Sequence, residues 1–114
     1  MSVGRASLLC VLCVVLSEHG LISSVAASEK TLVTHVVTIE NMEFRPSHLT
    51  VHSGDQIVFS NKDLFPHTAT ADDKSFDSHS IAPGASWKYR ARRPGQFAFK
   101  CSFHPVMLGM ITVR

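Results

Sequence analysis

Cysteine is scarce in this chain, and where it is missing matters most. There are three in 114 residues, and Cys10 and Cys13 both fall in the N-terminal apolar run Ala6 to Leu16. Beyond that run Cys101 stands alone. A single thiol excludes a disulfide framework there, and it excludes an iron–sulfur cluster, which needs several thiolates. Charge of one sign is lacking too: 11 Lys and Arg against 9 Asp and Glu leave a net charge of +2, with no basic run. Nothing therefore points to a nucleic-acid partner. A membrane-spanning stretch of roughly 20 apolar residues is absent as well. Internal repeats, linkers and period-3.6 patterning are absent beyond the N-terminus, so no helix is expected there.

The N-terminus reads as a secretion signal. Arg5 supplies the positive charge, Ala6 to Leu16 the apolar stretch, and Ser24-Val25-Ala26-Ala27 the small residues before a cut after Ala27. The expected organisation is a cleaved signal peptide, 1–27, and one domain, 28–114, with no membrane span after cleavage. Retention of the N-terminus as an anchor is the alternative, because Ser17-Glu18-His19-Gly20 makes the segment before the cut long and charged. Cys10 and Cys13 read as apolar residues of the signal rather than a redox pair. A lone exported thiol is open to oxidation or pairing between chains, and binding a metal as thiolate removes that hazard. The domain is small for a self-sufficient core, so a metal would also add stability.

Short alternating segments follow, separated by Gly and Pro turns. Strands are expected over Thr31 to Ile39, Leu49 to Val51, Gln56 to Asn61, Ser86 to Arg90, Gln96 to Lys100 and Met110 to Arg114, with a brief extension at Thr68 to Thr70. Glu40 to Pro46 should bend the chain, with Met42 and Phe44 on one side. Ser53-Gly54-Asp55, Pro83-Gly84 and Pro94-Gly95 read as turns, the second of type II. Ala71 to Ser80 is polar and is expected to run over the surface. The fold class is all-β, a sandwich or barrel of seven to eight short strands. Phe97, Phe99 and Cys101 share one parity, so the thiol should face the core with the two rings.

The chemistry is concentrated in Cys101-Ser-Phe-His104-Pro-Val-Met107, where a thiol, an imidazole and a thioether recur every third residue between two strands. Thiolate and thioether are soft donors that suit copper, and imidazole suits copper in either oxidation state; His-His-Cys with a weak axial Met is the geometry of electron-transfer copper. The second histidine is missing from the loop, and His67 in Leu64-Phe65-Pro66-His67-Thr68 is the candidate. Zinc would ask for further Cys or His in place of a thioether. A Cys-His nucleophile pair would ask for a substrate cleft and an orienting Asn or Asp. Each residue also has a plain reading: His67 and His104 as loop histidines, Cys101 as a buried thiol, Met107 and Met110 as core filler. The set is specific; its members singly are not.

With these residues in view, the chain resembles the cupredoxins, the blue copper proteins of the plastocyanin and amicyanin type. The resemblance rests on Asn61-Lys-Asp-Leu-Phe-Pro-His67-Thr, on Pro94-Gly95-Gln-Phe-Ala-Phe-Lys-Cys101, and on Cys101-x-x-His104-Pro-x-Met107-x-Gly109. It covers about Thr31 to Arg114, and its short Cys-x-x-His-x-x-Met loop is most similar to amicyanins. It implies a Greek-key β-sandwich holding one copper, with His67, Cys101 and His104 in the trigonal plane and Met107 as the long axial ligand; Met110 is the alternative. One departure stands out: where many relatives have Asn after the first histidine, tying the two ligand loops together, this chain has Thr68, whose hydroxyl can still bond to the Cys101 loop but is expected to make a looser tie.

The resemblance further implies a single-electron carrier, not an enzyme, with monomer the default for a small carrier; the N-terminal signal implies export, most naturally to the periplasm. The carrier's electron port would be His104, ringed by Phe65, Pro66, Pro105 and Val106, a surface for brief docking of redox donor and acceptor proteins. Arg90, Arg92 and Arg93 suggest either a solvated turn or steering toward an acidic partner. His35, His48 and His52 read as surface residues, and His79 as a loop residue. The competing reading is a copper chaperone, which would want open, exchangeable ligands. A multicopper oxidase or nitrite reductase would want further ligands, often as His-x-His, and the sequence has none.

Overall fold

The computed structural model describes residues 31–114, together with Gly4, Gly20 and Leu21. The expected signal sequence, its cut after Ala27, and Cys10 and Cys13 lie outside the described residues. Eight strands follow in order: β1 (Thr34–Glu40), β2 (Glu43–Arg45), β3 (His48–Val51), β4 (Gln56–Asn61), β5 (Thr70–Ala71), β6 (Ser86–Arg90), β7 (Gly95–Lys100) and β8 (Leu108–Val113). They form two four-stranded sheets, β2-β1-β4-β6 and β3-β8-β7-β5. The pairs β1–β4 and β3–β8 are parallel and the rest antiparallel. Among the described residues there is no helix.

Alternation explains why these segments pair face to face. Ile57 and Phe59 of β4, Phe97 and Phe99 of β7, and Ile111 and Val113 of β8 are all buried, while their neighbours in sequence are less so. Each such side chain contributes about 1.5–3 kcal/mol on burial. Phe99 sits at the centre, edge-on to Phe44 at 4.7 Å and to Phe59 at 5.6 Å between ring centroids. The Pro83-Gly84 turn is as expected: Ala85 N donates to Ala82 O at 2.9 Å, and Gly84 takes φ 78°, the positive value that a type II turn demands.

Two expectations need correction. Ala71 to Ser80 does not simply run over the surface, because Phe76 is buried and packs on Tyr89 with 4.6 Å between centroids. One aromatic in a polar segment carries no periodicity, so the pattern could not reveal it. Glu40 to Pro46 is more than a bend: Asn41 and Met42 make a left-handed turn, and Glu43–Arg45 returns as β2 against β1. Phe44 is buried as foreseen, but Met42 is partly exposed, at 37%.

The site is placed by two pairings. Lys100 of β7 faces Leu108 of β8, so residues 101–107 form a loop at one end of the second sheet. His67 leaves β4 by a loop and forms an isolated bridge with Ile81 at the same end. Gly95 faces Val113 at the opposite end.

Candidate metal centre

Asn61 shapes the first of the two loops. Fully buried, it donates from Nδ2 to Phe65 O at 2.8 Å and to Ile81 O at 2.9 Å, and its Oδ1 accepts from Asp63 N at 3.0 Å. The side chain stands in for the backbone ladder that the loop has left, so the buried amide keeps its partners. His67 N then donates to Ile81 O, and Ile81 N donates to His67 O at 2.7 Å, which fixes the backbone of His67. The second loop is closed by its own backbone: Cys101 N donates to Met107 O at 3.1 Å, and Met107 N to His104 O at 2.9 Å. One tight turn therefore holds all three residues of the Cys-x-x-His-x-x-Met motif.

His67, Cys101 and His104 converge. Their donor atoms lie within 4.8 Å of one another, and Cys101 Sγ is 3.7 Å from Nδ1 of His67 and 3.7 Å from Nδ1 of His104. The two imidazole rings are tilted, with centroids 5.1 Å apart. His67 and Cys101 are wholly buried and His104 is half-buried. A thiol flanked by two imidazole nitrogens in a dry pocket suits a soft metal ion, copper before the harder cations. Met107 is buried within the same core cluster as Cys101. Met110 pairs with Ala98 on β8 and shares the parity of Thr112, opposite to buried Ile111 and Val113, so it stands on the sheet face away from the core.

Two hydrogen bonds join the loops. Thr68 N donates to Cys101 Sγ at 3.3 Å, and Ser102 N donates to Thr68 Oγ1 at 2.7 Å. The hydroxyl of Thr68 thus makes the bond to the Cys101 loop, and at 2.7 Å it is a close one. A third contact was missed. His67 Nε2 lies 2.9 Å from Asp63 Oδ2, and the same carboxylate accepts from Asn41 N at 2.7 Å and Met42 N at 3.0 Å. Burial pushes the Asp63 carboxyl up, but the Met42 and Asn41 amides and the His67 ring outweigh it, so the net direction is down. The signal was present as a carboxylate four residues before a candidate ligand; sequence alone does not distinguish it from a solvated loop residue.

The remaining expectations sort by position. Phe65, Pro66, Pro105 and Val106 are exposed around the two histidines, joined by Leu64 and Phe103. Arg90, Arg92 and Arg93 sit at the far end of β6 and β7, where Arg90 Nη1 donates to Gly54 O at 2.9 Å and Arg93 reaches Asp73; they do not border the metal centre. His79 is exposed beside Asp77 and stands apart from the cluster. His35 is no free surface residue, since its Nε2 lies 3.0 Å from the buried carboxylate of Asp55.

Residues 6–113 match the family model described as a cupredoxin-like domain. Over an alignment of 122 positions the chain is 28% identical to the chloroplastic minor isoform of plastocyanin from Arabidopsis thaliana, covering 87% of this chain and 71% of the relative. A point mutant of amicyanin in the Cu(I) form superposes with a TM-score of 0.67 at 21% identity, over 75% of this chain and 87% of that one. A copper-containing nitrite reductase from Thermus scotoductus SA-01 gives 0.66 at 27% identity, over 75% of this chain and 23% of that one. Among the described residues no helix is long and apolar enough to cross a membrane. The match over nearly the whole sequence, together with two facing sheets and an imidazole–thiol–imidazole cluster at one end, makes this chain a member of the cupredoxin-like family.

Proposed function

We propose that the chain is an exported single-electron carrier that holds one copper between His67, Cys101, His104 and Met107. The observation that carries this reading is the convergence of two Nδ1 atoms on the sulfur of Cys101, each at 3.7 Å, in a pocket with no exposed thiol. Copper, when bound, supplies the one-electron couple. The protein supplies the rest. Cys101 serves as thiolate, losing its proton on loading, and the amide of Thr68 directs a hydrogen bond at that sulfur. His67 is fixed by backbone on one side and carboxylate on the other, so it need not move between oxidation states. Met107 is buried at the closed end of the loop and fits the weak axial role better than outward-facing Met110.

His104 is the half-buried member and therefore the natural port. Exposed Leu64, Phe65, Pro66, Phe103, Pro105 and Val106 lie beside it in the two loops. An apolar rim of this kind favours brief, easily reversed docking of a redox protein. The fully buried thiol and His67 favour a carrier over a chaperone, whose ligands must be open to exchange. The nitrite reductase likeness spans under a quarter of that enzyme's chain, so it supports a shared building block and not a shared reaction. Export, a periplasmic destination and a monomeric state rest on the N-terminal signal pattern and on the carrier reading.

The test is colour. Cu(II) added to the mature protein is expected to give intense blue or green thiolate-to-copper absorption that reductant bleaches reversibly. Cys101→Ser should abolish it. A colourless, quickly chelated complex would favour the chaperone instead.

A further inference from the structure

We propose that Asp63 is a positioning residue for the copper couple: its carboxylate fixes the His67 ring and lowers the reduction potential of the site. The inference rests on the copper-carrier reading above and adds a residue to it.

The geometry leaves little freedom. An ionised carboxylate only accepts hydrogen bonds, so with Oδ2 at 2.9 Å the proton on Nε2 of His67 must be the donor. The opposite nitrogen, Nδ1, then carries the lone pair, and it is the atom that faces Cys101 Sγ. The carboxylate itself cannot swing away. Its Oδ1 is held by Asn41 N and its Oδ2 by Met42 N, the two residues of the left-handed turn between β1 and β2, at φ 53° and 61°. Asp63 therefore locks ring orientation and tautomer by way of a different pair of strands from those that carry Cys101.

Charge gives the second effect. The side chain of His67 is 0% exposed and that of Asp63 12%, so water screens the pair poorly. A negative charge on the far side of the ring makes the imidazole a better donor and favours the more positive state of the metal. That state is Cu(II), so the carboxylate should hold the potential down. The acceptor for such a nitrogen need not be charged; a backbone carbonyl would orient the ring equally well. The charge is what this chain adds.

Voltammetry of the copper-loaded chain tests it. In Asp63→Asn the side chain keeps its size and one acceptor while losing its charge. The expected result is a blue protein whose equilibrium shifts about tenfold toward Cu(I), a rise of about 59 mV for one electron. Asp63→Ser, which keeps a short acceptor, should shift the same way and serves if the amide variant does not fold. Asp73→Asn removes the same unit of charge from an exposed loop and should move the equilibrium less than about twofold. A shift in the Asp63 variants no larger than in Asp73→Asn overturns the proposal. A separate arm needs no metal: nitrogen-15 NMR of the metal-free protein should find the His67 proton on Nε2, and finding it on Nδ1 overturns the proposal as well. Failure of the wild-type protein to develop the thiolate band would instead sink the copper reading, so the two failures are distinct.

Discussion

Thr68 and Ser102, 34 positions apart, are joined by a 2.7 Å hydrogen bond from Ser102 N to Thr68 Oγ1. The bond matters because the neighbouring residues, His67 and Cys101, are the two wholly buried members of the metal cluster. Around it the hydroxyl network continues: Thr68 Oγ1 lies 2.9 Å from Thr70 Oγ1, and Ser102 Oγ donates to Thr70 Oγ1 at 3.1 Å. The ligand loops are held in register by protein alone, so the cluster should be largely formed before any ion arrives.

Thr68→Val tests that tie. Valine matches the shape but leaves the amide of Ser102 without its acceptor, which costs about 1–3 kcal/mol when a partly buried donor is orphaned. Denaturant unfolding of the metal-free protein should register the loss. Thr68→Ser keeps the oxygen and should cost only about 0.8 kcal/mol for the missing methyl. Equal stability of the valine variant and the wild type would mean that the bond contributes nothing.

Gly109 is a second point where sequence choice is forced. A Cβ built there would lie 2.1 Å from Cζ of Phe99 and 2.5 Å from its Cε1. The ring cannot retreat, because Phe44, Phe59 and Phe76 enclose it. Gly109→Ala is expected to destabilise the protein by about 1–3 kcal/mol through overpacking, and to disturb β7 where it leads into Cys101. Thermal unfolding measures the first effect and the thiolate band the second.

The outline of this molecule was legible because its pattern is regular. Parity along Gln96 to Lys100 put the thiol of Cys101 inward, and it is wholly buried. Pro83-Gly84 and Ser53-Gly54 marked turns that are present, whereas at Pro94-Gly95 the glycine already opens β7. The gathering of His67 with Cys101 and His104 followed from donor chemistry and the family resemblance rather than from periodicity, since 34 residues separate His67 from the thiol. What stayed hidden were contacts made by single polar or aromatic residues in irregular segments. Phe76 looked like a loop residue and fills the core. His35 read as a surface residue and meets the buried Asp55 carboxylate, and Asp63 carried no reading of its own yet reaches the Asn41 and Met42 amides across the fold. No local pattern distinguishes a paired loop carboxylate from a free one; only the tertiary approach of another strand decides it. The same holds for Arg90, Arg92 and Arg93, whose clustering in sequence was evident but whose distance from the metal cluster was not.

Asp55 predicts the acid limit of stability. Its carboxylate is buried, and its pKa is lowered from 3.8 to about 2, first by the hydrogen bond with His35, then by the amide of His52, with burial opposing. A depressed folded-state value means that its contribution is complete above 3.8, the unfolded value, and fades as pH falls through about 2. Asp55→Asn should therefore be less stable than wild type near neutrality, with the gap narrowing over that window. Urea unfolding of both proteins at several pH values is the measurement. Other depressed carboxyls, Asp63 among them, respond in the same direction, but they are common to both proteins and cancel in the difference. A gap that widens on acidification would contradict the assignment.

The axial position can be settled by a matched pair of substitutions. Leucine replaces methionine with nearly the same volume, so Met107→Leu removes a thioether from the buried end of the Cys101 loop while keeping its packing. The trigonal set of His67, Cys101 and His104 would survive, and the colour with it. Loss of a weak donor disfavours Cu(II), so the potential should rise, by an equilibrium factor of about ten or more, roughly 59 mV for the single electron. Met110→Leu changes a side chain on the outer face of β8, opposite Ala98, and should leave both spectrum and potential where they were. The reverse outcome, with Met110→Leu shifting the potential and Met107→Leu silent, would transfer the axial role to Met110 and require the last strand to turn its other face to the core. Both variants keep the same net charge and nearly the same apolar volume and each loses one thioether, so a difference between them reports which sulfur lies at the site.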